Sequence, residues 1–359
     1  MDALASSQTS AKAACIVQTG RPVIIAEDMK VTRRQSLLIL SAGVAAGAET
    51  PLEGQWRRIA RATDGTVGVA AVHLASGEHA SLHGDERFPM ASVCKLPIAI
   101  HILGLVDEGK LRLGQPIEVL AQDIFPQVSE IAGRWPEQRR FPLDELLRLM
   151  VAQSDNTVVE TLFRIGGGAP ALAARFRQWR VEGMRVDRAE EEIALDGIQA
   201  PYSPREQWTG AMYKRLMAQA TPAVRARAMA RYLADPRDTA TPNGTVQLLV
   251  RAFRGELLAK ATTAFLIEIM KATASGPARL KGLLPEGTVV AHKTGAWGTV
   301  NGLNGATNDV GVIFPPRGAG AIAVAVFVKG SRRSEAERDR VIAEMARAAY
   351  DSWAGAGRG

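Results

Sequence analysis

The sequence predicts an α/β (α+β) fold in two lobes: an antiparallel sheet flanked by terminal helices, and an all-helical lobe. Three observations lead there. Strand-like runs stand near both ends, Thr66 to Leu74 early and Thr288 to His292, Asn308 to Phe314 and Ala321 to Val328 late. The stretch between, from Pro97 to about Met270, is mostly helical in its apolar spacing. The late runs are separated at short intervals by Gly and Pro, which favours antiparallel pairing over crossovers. One sheet built from both termini, with the helical middle as a second lobe, satisfies all three.

A chain of 359 residues, 47% apolar, is long enough for one large domain or two modest lobes. Residues 1–48 are set apart. Met29 to Ser36 is basic and contains Arg33-Arg34, Leu37 to Ala48 is apolar, and Ala46-Gly47-Ala48 is a small-residue end. Those are the parts of a secretory signal of the twin-arginine kind, with Met29 as the expected start, and they predict a periplasmic or secreted protein. The expected organisation is an upstream segment and signal at 1–48 and a single catalytic domain at 49–359. Its sheet lobe would cover about 52–88 and 275–359, its helical lobe about 89–274. No run of eighteen apolar residues follows the leader, so no membrane association is expected after cleavage.

The formal charge is +7; loss of 1–48 takes away five basic and three acidic residues and leaves +5. The basic residues are mixed with acidic ones and lack interleaved aromatics, a solvated face and not a nucleic-acid surface. Of two cysteines, Cys15 lies in the leader and only Cys94 remains, so no intramolecular disulfide forms.

In chain order, Glu53 to Thr63 reads as a helix with Trp56, Ile59 and Ala60 on one stripe. Ser76-Gly77 is a turn, and His79 to Leu82 the hairpin partner of the first strand. His73, His79 and His83 have no carboxylate or fourth ligand at metal-site spacing and read as strand and turn residues. Ser92 to Gly109 is a helix capped by Gly109. Leu143 to Gln153 is amphipathic; Val158 to Ile165 stops at three glycines; Ala171 to Trp179 is a short helix. Asp187 to Pro204 has no clean period and reads as a loop. Gln207 to Ala218, Ala223 to Leu233, Thr245 to Phe253 and Thr263 to Thr273 read as helices. Ser334 and Glu337 form a capping box for a closing helix, Ala336 to Trp353.

Three short motifs carry chemistry. In Ser92-Val93-Cys94-Lys95 the hydroxyl and the amine are three apart, on one face of a helix start. Serine needs a base to become a nucleophile, and an unprotonated lysine is one. Free N–H groups at the helix start favour the negative charge that an attack creates. Ser154-Asp155-Asn156 falls at a break between helices, where a hydroxyl can relay a proton and an amide can hold a carbonyl. Lys293-Thr294-Gly295 ends a strand and supplies charge, a hydrogen bond and room for close backbone approach. Each motif alone is common; all three in this order are not.

That ordered set is the signature of class A β-lactamases and penicillin-binding proteins, and the chain resembles this family from about Trp56 to Tyr350. It is most similar to the PER/VEB-type extended-spectrum branch, through TASGPARLKGLLP at 273–285, GTVVAHKTG at 287–295, ATND at 306–309 and AVAVFVK at 323–329. The resemblance implies a two-lobed serine β-lactamase/penicillin-binding fold and a hydrolase that opens β-lactams through an acyl-enzyme. It implies catalytic roles for Ser92, Lys95, Ser154 and Glu190, with Lys95, or Glu190 through water, taking the Ser92 proton. Substrate-binding roles fall to Asn156, Lys293, Thr294, Gly295, Ala296 and Arg279, the amides of Ser92 and Ala296 forming the oxyanion hole. No metal or organic cofactor, a small β-lactam as the only partner and a monomeric state are further expectations.

Glu190, two after Arg188, matches the family's deacylating glutamate; Glu191 and Glu192 are the alternatives. Arg188 and Asp238 match a loop-pinning ion pair. Two departures stand out. Four residues after Glu190 the family usually has an asparagine that holds water, and this chain has Ala194. Residues 196–234 are longer than their counterpart and carry Tyr202, Trp208, Met212 and Tyr213, which read as packing before they read as a lid. Trp297 and a loop at Gly298 to Gly305 are expected to shape the cleft. A penicillin-binding DD-peptidase, an esterase on the same fold and a non-hydrolysing β-lactam sensor share the motifs and remain the alternative readings.

Overall fold

Trp56 is fully buried, and its indole Nε1 donates to the Met345 carbonyl at 3.0 Å, tying the first helix to the last. The computed structural model describes residues 49–202, 204 and 207–354. In it, helices α1 (Pro51–Ala60) and α12 (Glu335–Trp353) cover one face of a five-stranded sheet. The strands are β1 (Thr66–His73), β2 (His79–Leu82), β7 (Val289–Val300), β8 (Leu303–Phe314) and β9 (Ile322–Lys329), in the order β2-β1-β9-β8-β7. Every neighbouring pair is antiparallel. Strand β9 shows why the sheet sits where it does. Ile322, Val324, Val326 and Val328 point to α1 and α12, whereas Ala323, Ala325 and Phe327 point to the helical lobe. Side chains alternate across a strand, so a strand covered on both faces must be apolar throughout.

The closing helix begins at the capping box of Ser334 and Glu337, and α1 at a second one formed by Thr50 and Glu53. Between the two halves of the sheet lie two short strand pairings, β3 (Phe88–Pro89) with β6 (Thr239–Ala240), and β4 (Pro116–Glu118) with β5 (Arg140–Pro142). The helices there are α2 (Lys95–Asp107), α3 (Glu130–Arg134), α4 (Leu143–Arg148), α5 (Asn156–Ile165), α6 (Gly168–Gln178), α7 (Glu190–Asp196), α8 (Gly210–Gln219), α9 (Pro222–Ala234), α10 (Pro242–Phe253) and α11 (Lys260–Lys271). Helix α2 is the axis of this lobe: every residue from Lys95 to Leu103 is buried, as befits a helix that is apolar all round. It ends at Gly109, whose φ of +70° is open to glycine at little cost, with its amide on the Val106 carbonyl.

Three expectations need correction. The helix expected from Ser92 begins as a 3₁₀ turn, Ala91–Cys94, and becomes α-helical only at Lys95. The segment read as a loop from Asp187 contains α7. Its short length hides its period, but Glu192 accepts from the Ala189 amide at its start, and Ile193, Ala194 and Leu195 are buried beneath it. The supposed loop at 298–305 is a continuation of β7 and β8 joined at Asn301-Gly302. Both residues have positive φ, +50° and +77°, which is the turn geometry that an Asn-Gly pair favours between twisted strands.

His73 contacts Ser76 and the Ala319 carbonyl, His79 contacts Asn243, and His83 the Val67 carbonyl. Among the described residues no helix is long and apolar enough to cross a membrane. The leader and its signal lie outside the described residues.

Candidate active site

Ser92 sits in the 3₁₀ turn that precedes α2, after Ala91 at φ +46°, a conformation that an alanine holds only when its surroundings impose it. The surroundings are strands β7 and β8. A Cβ at Gly295 would lie 2.5 Å from the Met90 carbonyl oxygen and 3.1 Å from the Val93 nitrogen, so only glycine lets β7 come this close. Asn308 of β8 donates to the carbonyls of Pro89 and Met90 at 2.9 and 3.0 Å. Ser92 and Ala296 thus face one junction between the turn and the strand, and Ala296 is exposed there.

Behind Ser92, Lys95 and Lys293 are both fully buried. Lys95 Nζ donates to the Ser154 carbonyl at 2.6 Å, to Ser154 Oγ at 3.1 Å and to Asn156 Oδ1 at 2.5 Å. Lys293 Nζ donates to the same Ser154 Oγ at 3.1 Å and to its neighbour's carbonyl, that of Thr294, at 3.0 Å. A hydroxyl oxygen that accepts from two lysines keeps its own proton to give away. Ser154 is presented by a left-handed turn, φ +63°, at the end of the five-residue π-turn Leu149–Gln153. Asp155 anchors that turn: its carboxylate caps α5 through the Val158 amide and receives the amides of Glu130 and Ile131. Burial lowers the pKa of both lysines, and at Lys293 the charge of Lys95 adds to it, bringing Lys293 to about 7; at Lys95 the Glu190 charge partly offsets burial. A reaction that draws on charge at Lys293 should therefore lose kcat/KM as pH rises through about 7. Lys293→Arg, whose guanidinium stays protonated, should remove that alkaline limb from the profile.

Asn156, expected to hold a substrate amide, is occupied at both ends in this structure: Oδ1 by Lys95 and Nδ2 on the Gln127 carbonyl at 3.3 Å. Thr294 Oγ1 lies 2.6 Å from Ser275 Oγ, a neighbour that the sequence reading missed. Nothing in the spacing singles out Ser275; the turn through Gly276, at φ +62°, carries it there. Arg279, expected to bind a substrate carboxylate, needs correction. It is 5% exposed, its Nε donates to Asp339 of α12 at 2.7 Å, and Nη1 donates to the carbonyls of Gly295 and Asn308 at 3.3 and 3.1 Å. Its donors support β7 and β8 from behind instead of reaching an anion in the cleft.

Helix α7 separates the three glutamates. Glu192 caps its own helix at Ala189, and Glu191 is 2% exposed with its amide on Glu160 Oε1. Glu190 is half-buried, and its charge acts on Lys95, Cys94 and Lys293. The segment before it is held by Asp238, which takes Arg188 Nε at 2.6 Å and the amides of Asp187 and Arg188 at 2.6 and 3.0 Å. Arg188 also contacts Asp196 and Asp235, and Tyr202 donates to Asp196 at 2.8 Å. Cys94 is buried, and burial pushes its thiol far up, so it stays a protonated packing residue.

The long segment after α7 packs inward. Trp208 and Tyr213 are 2% and 3% exposed and form a small cluster with Phe125, Ala194 and Leu195. Tyr232 of α9 stacks on Trp297 with centroids 4.6 Å apart, and a Cβ at Gly197 would lie 3.1 Å from the same indole. Trp297 is thereby fixed between α7 and α9 at the edge of the cleft.

Comparison with known proteins agrees with this geometry. The description of the "Beta-lactamase enzyme family" matches residues 51–353. The chain is 29% identical to beta-lactamase VEB-1 and 32% identical to the extended-spectrum beta-lactamase PER-1, both of Pseudomonas aeruginosa. The alignments cover 90% and 89% of this chain and 98% and 93% of those proteins. Its fold is similar to the crystal structure of a beta-lactamase from Chitinophaga pinensis DSM 2588, with a TM-score of 0.71 and 34% identity over 84% of this chain and 99% of that one.

Proposed function

The chain belongs to the β-lactamase enzyme family, and from that premise we propose how its residues divide the hydrolysis of penicillins and cephalosporins, the chemistry by which such an enzyme confers antibiotic resistance. Ser92 attacks the lactam carbonyl and forms an acyl-enzyme. Its proton leaves to Lys95 once that amine has lost one of its own, or to Glu190 through water. The amides of Ser92 and Ala296 hold the developing oxyanion, where fixed donors are worth about 2.7–4 kcal/mol each. Ser154 gives its proton to the departing lactam nitrogen. Lys293, Thr294 and Ser275 receive the substrate carboxylate at the mouth of β7. Glu190 then draws a proton from water, the water oxygen bonds to the acyl carbon, and Ser92 leaves with a proton restored.

The observation that carries this division is the single Ser154 hydroxyl standing 3.1 Å from two buried lysines, beside the nucleophile's turn. The pinned helix start that holds Glu190 supports turnover over permanent acylation, the outcome that a DD-peptidase or a sensor would give. By likeness to an extended-spectrum relative, cephalosporins belong in the substrate range. Export by the leader to the periplasm, and action there as a monomer, complete the proposal.

Ser92→Ala tests it. Turnover of a chromogenic cephalosporin should fall by roughly 10⁶, as for loss of a catalytic serine elsewhere, with no mass adduct and an unchanged Tm. An adduct that survives this substitution would move the nucleophile elsewhere.

A further inference from the structure

A carboxylate fixes only one of a water's two O–H bonds. For the lone pair to face the acyl carbon, a second acceptor must hold the other. Position 194, one helical turn after Glu190 and on the same face of α7, is the natural place for it, but Ala194 has no polar side-chain atom. Tyr213 lies over that face: its ring packs in the cluster that contains Ala194 and Leu195, tilted against Phe125 with centroids 5.1 Å apart and against Trp208 at 5.8 Å. Its hydroxyl donates to Gln127 Oε1 at 3.4 Å. The backbone carbonyl of the same Gln127 receives Asn156 Nδ2, and Asn156 Oδ1 receives Lys95. Thr157 of α5 clamps the loop, receiving the Phe125 amide at 3.0 Å and donating to the Phe125 carbonyl at 3.3 Å. Tyr213 thus packs with the Glu190 helix through its ring and reaches through its hydroxyl the residue, Gln127, that holds Asn156.

We propose that Tyr213, brought by the long segment after α7, is a positioning residue for deacylation: its oxygen accepts the second O–H of the water that Glu190 deprotonates. The hydroxyl is suited to this. Its one proton is directed at Gln127, which leaves its lone pairs free to accept. Burial, reinforced by the Glu190 charge, raises its pKa, so it stays a neutral phenol at working pH. In the step itself the water proton passes to Glu190, the water oxygen bonds to the acyl carbon, and the bond to Ser92 Oγ breaks. The inference rests on Glu190 as the deacylating base.

The test is Tyr213→Phe, which keeps the ring and removes one weak hydrogen bond, measured beside Glu190→Gln. Acylation and deacylation rates are resolved by rapid mixing with a penicillin and intact mass. In Tyr213→Phe, deacylation should slow about ten-fold, the scale of one oriented hydrogen bond. The acylation rate and Tm should not change, and an acyl-enzyme should be visible at steady state. Adding Ala194→Asn to that variant, which restores a polar group one turn from Glu190, should recover part of the loss. Unchanged deacylation in Tyr213→Phe would overturn the proposal. So would acylation, deacylation and Tm falling together, the mark of a packing role alone. Failure of Glu190→Gln to slow deacylation would overturn the base assignment and this inference with it, and is told apart because it appears in the Glu190 variant alone.

Discussion

Glu190→Gln is expected to turn this enzyme into one that acylates and stops. The amide is nearly isosteric, so α7 and its Arg188–Asp238 anchor remain. What is lost is the acceptor of the water proton, a contribution of about 10²–10⁴-fold for a positioned general base. The acyl-enzyme on Ser92 should accumulate to one equivalent. The neighbouring variants discriminate. Glu192→Gln loses only part of the cap on Ala189 and should cost about 1 kcal/mol or less of stability with deacylation intact. Glu191→Gln disturbs a buried site beside Glu160 and should act on Tm before it acts on rate. If Glu191→Gln or Glu192→Gln traps the acyl-enzyme and Glu190→Gln does not, the assignment along α7 is wrong by a residue or two.

Arg279→Ala is expected to be the most damaging change outside the catalytic residues. It would leave Asp339 buried without its partner and remove the donors that hold the Gly295 and Asn308 carbonyls. Breaking a buried pair from one side costs about 3–5 kcal/mol, which for a domain of this size lowers Tm by roughly 10 °C. Arg279→Lys should recover only part, because an ammonium cannot span the carboxylate and two carbonyls in one plane. Calorimetry checks the loss of Tm, and steady-state kinetics at a temperature where the variant is folded checks the site. A raised KM with an unchanged Tm would reinstate Arg279 as the carboxylate-binding residue.

Arg279 also marks the limit of reading by motif. Its position after Gly276 matches a residue type with a family role, but a side chain's role depends on which partner reaches it first. Asp339, sixty residues later on α12, reaches it here, and no local spacing announces that. The sheet strands and the capping box of the closing helix were legible because apolar β-rich runs and capping are short-range features, visible within a few residues at β9 or at Ser334 and Glu337. The Ser92, Ser154 and Lys293 motifs were legible for a different reason: each is a compact set whose order is distinctive. Helix α7 escaped because seven residues are too few to show a period, and what stabilises it, the buried Ile193 and Leu195, is tertiary. The Asn301-Gly302 turn carries its own signal, since an Asn-Gly pair between two β-rich runs favours a tight hairpin. Ser275 meets Thr294, and Gln127 meets Asn156 and Tyr213, only through packing between segments distant in sequence.

The most direct single measurement is the intact mass of the wild-type enzyme and of Glu190→Gln, each mixed with the same penicillin and followed in time. The account predicts steady turnover with no lasting adduct in the wild type. In the variant it predicts one persistent adduct that maps to the peptide holding Ser92. A stoichiometric adduct that persists equally in both would contradict it, leaving a penicillin-binding protein that acylates at Ser92 and does not hydrolyse.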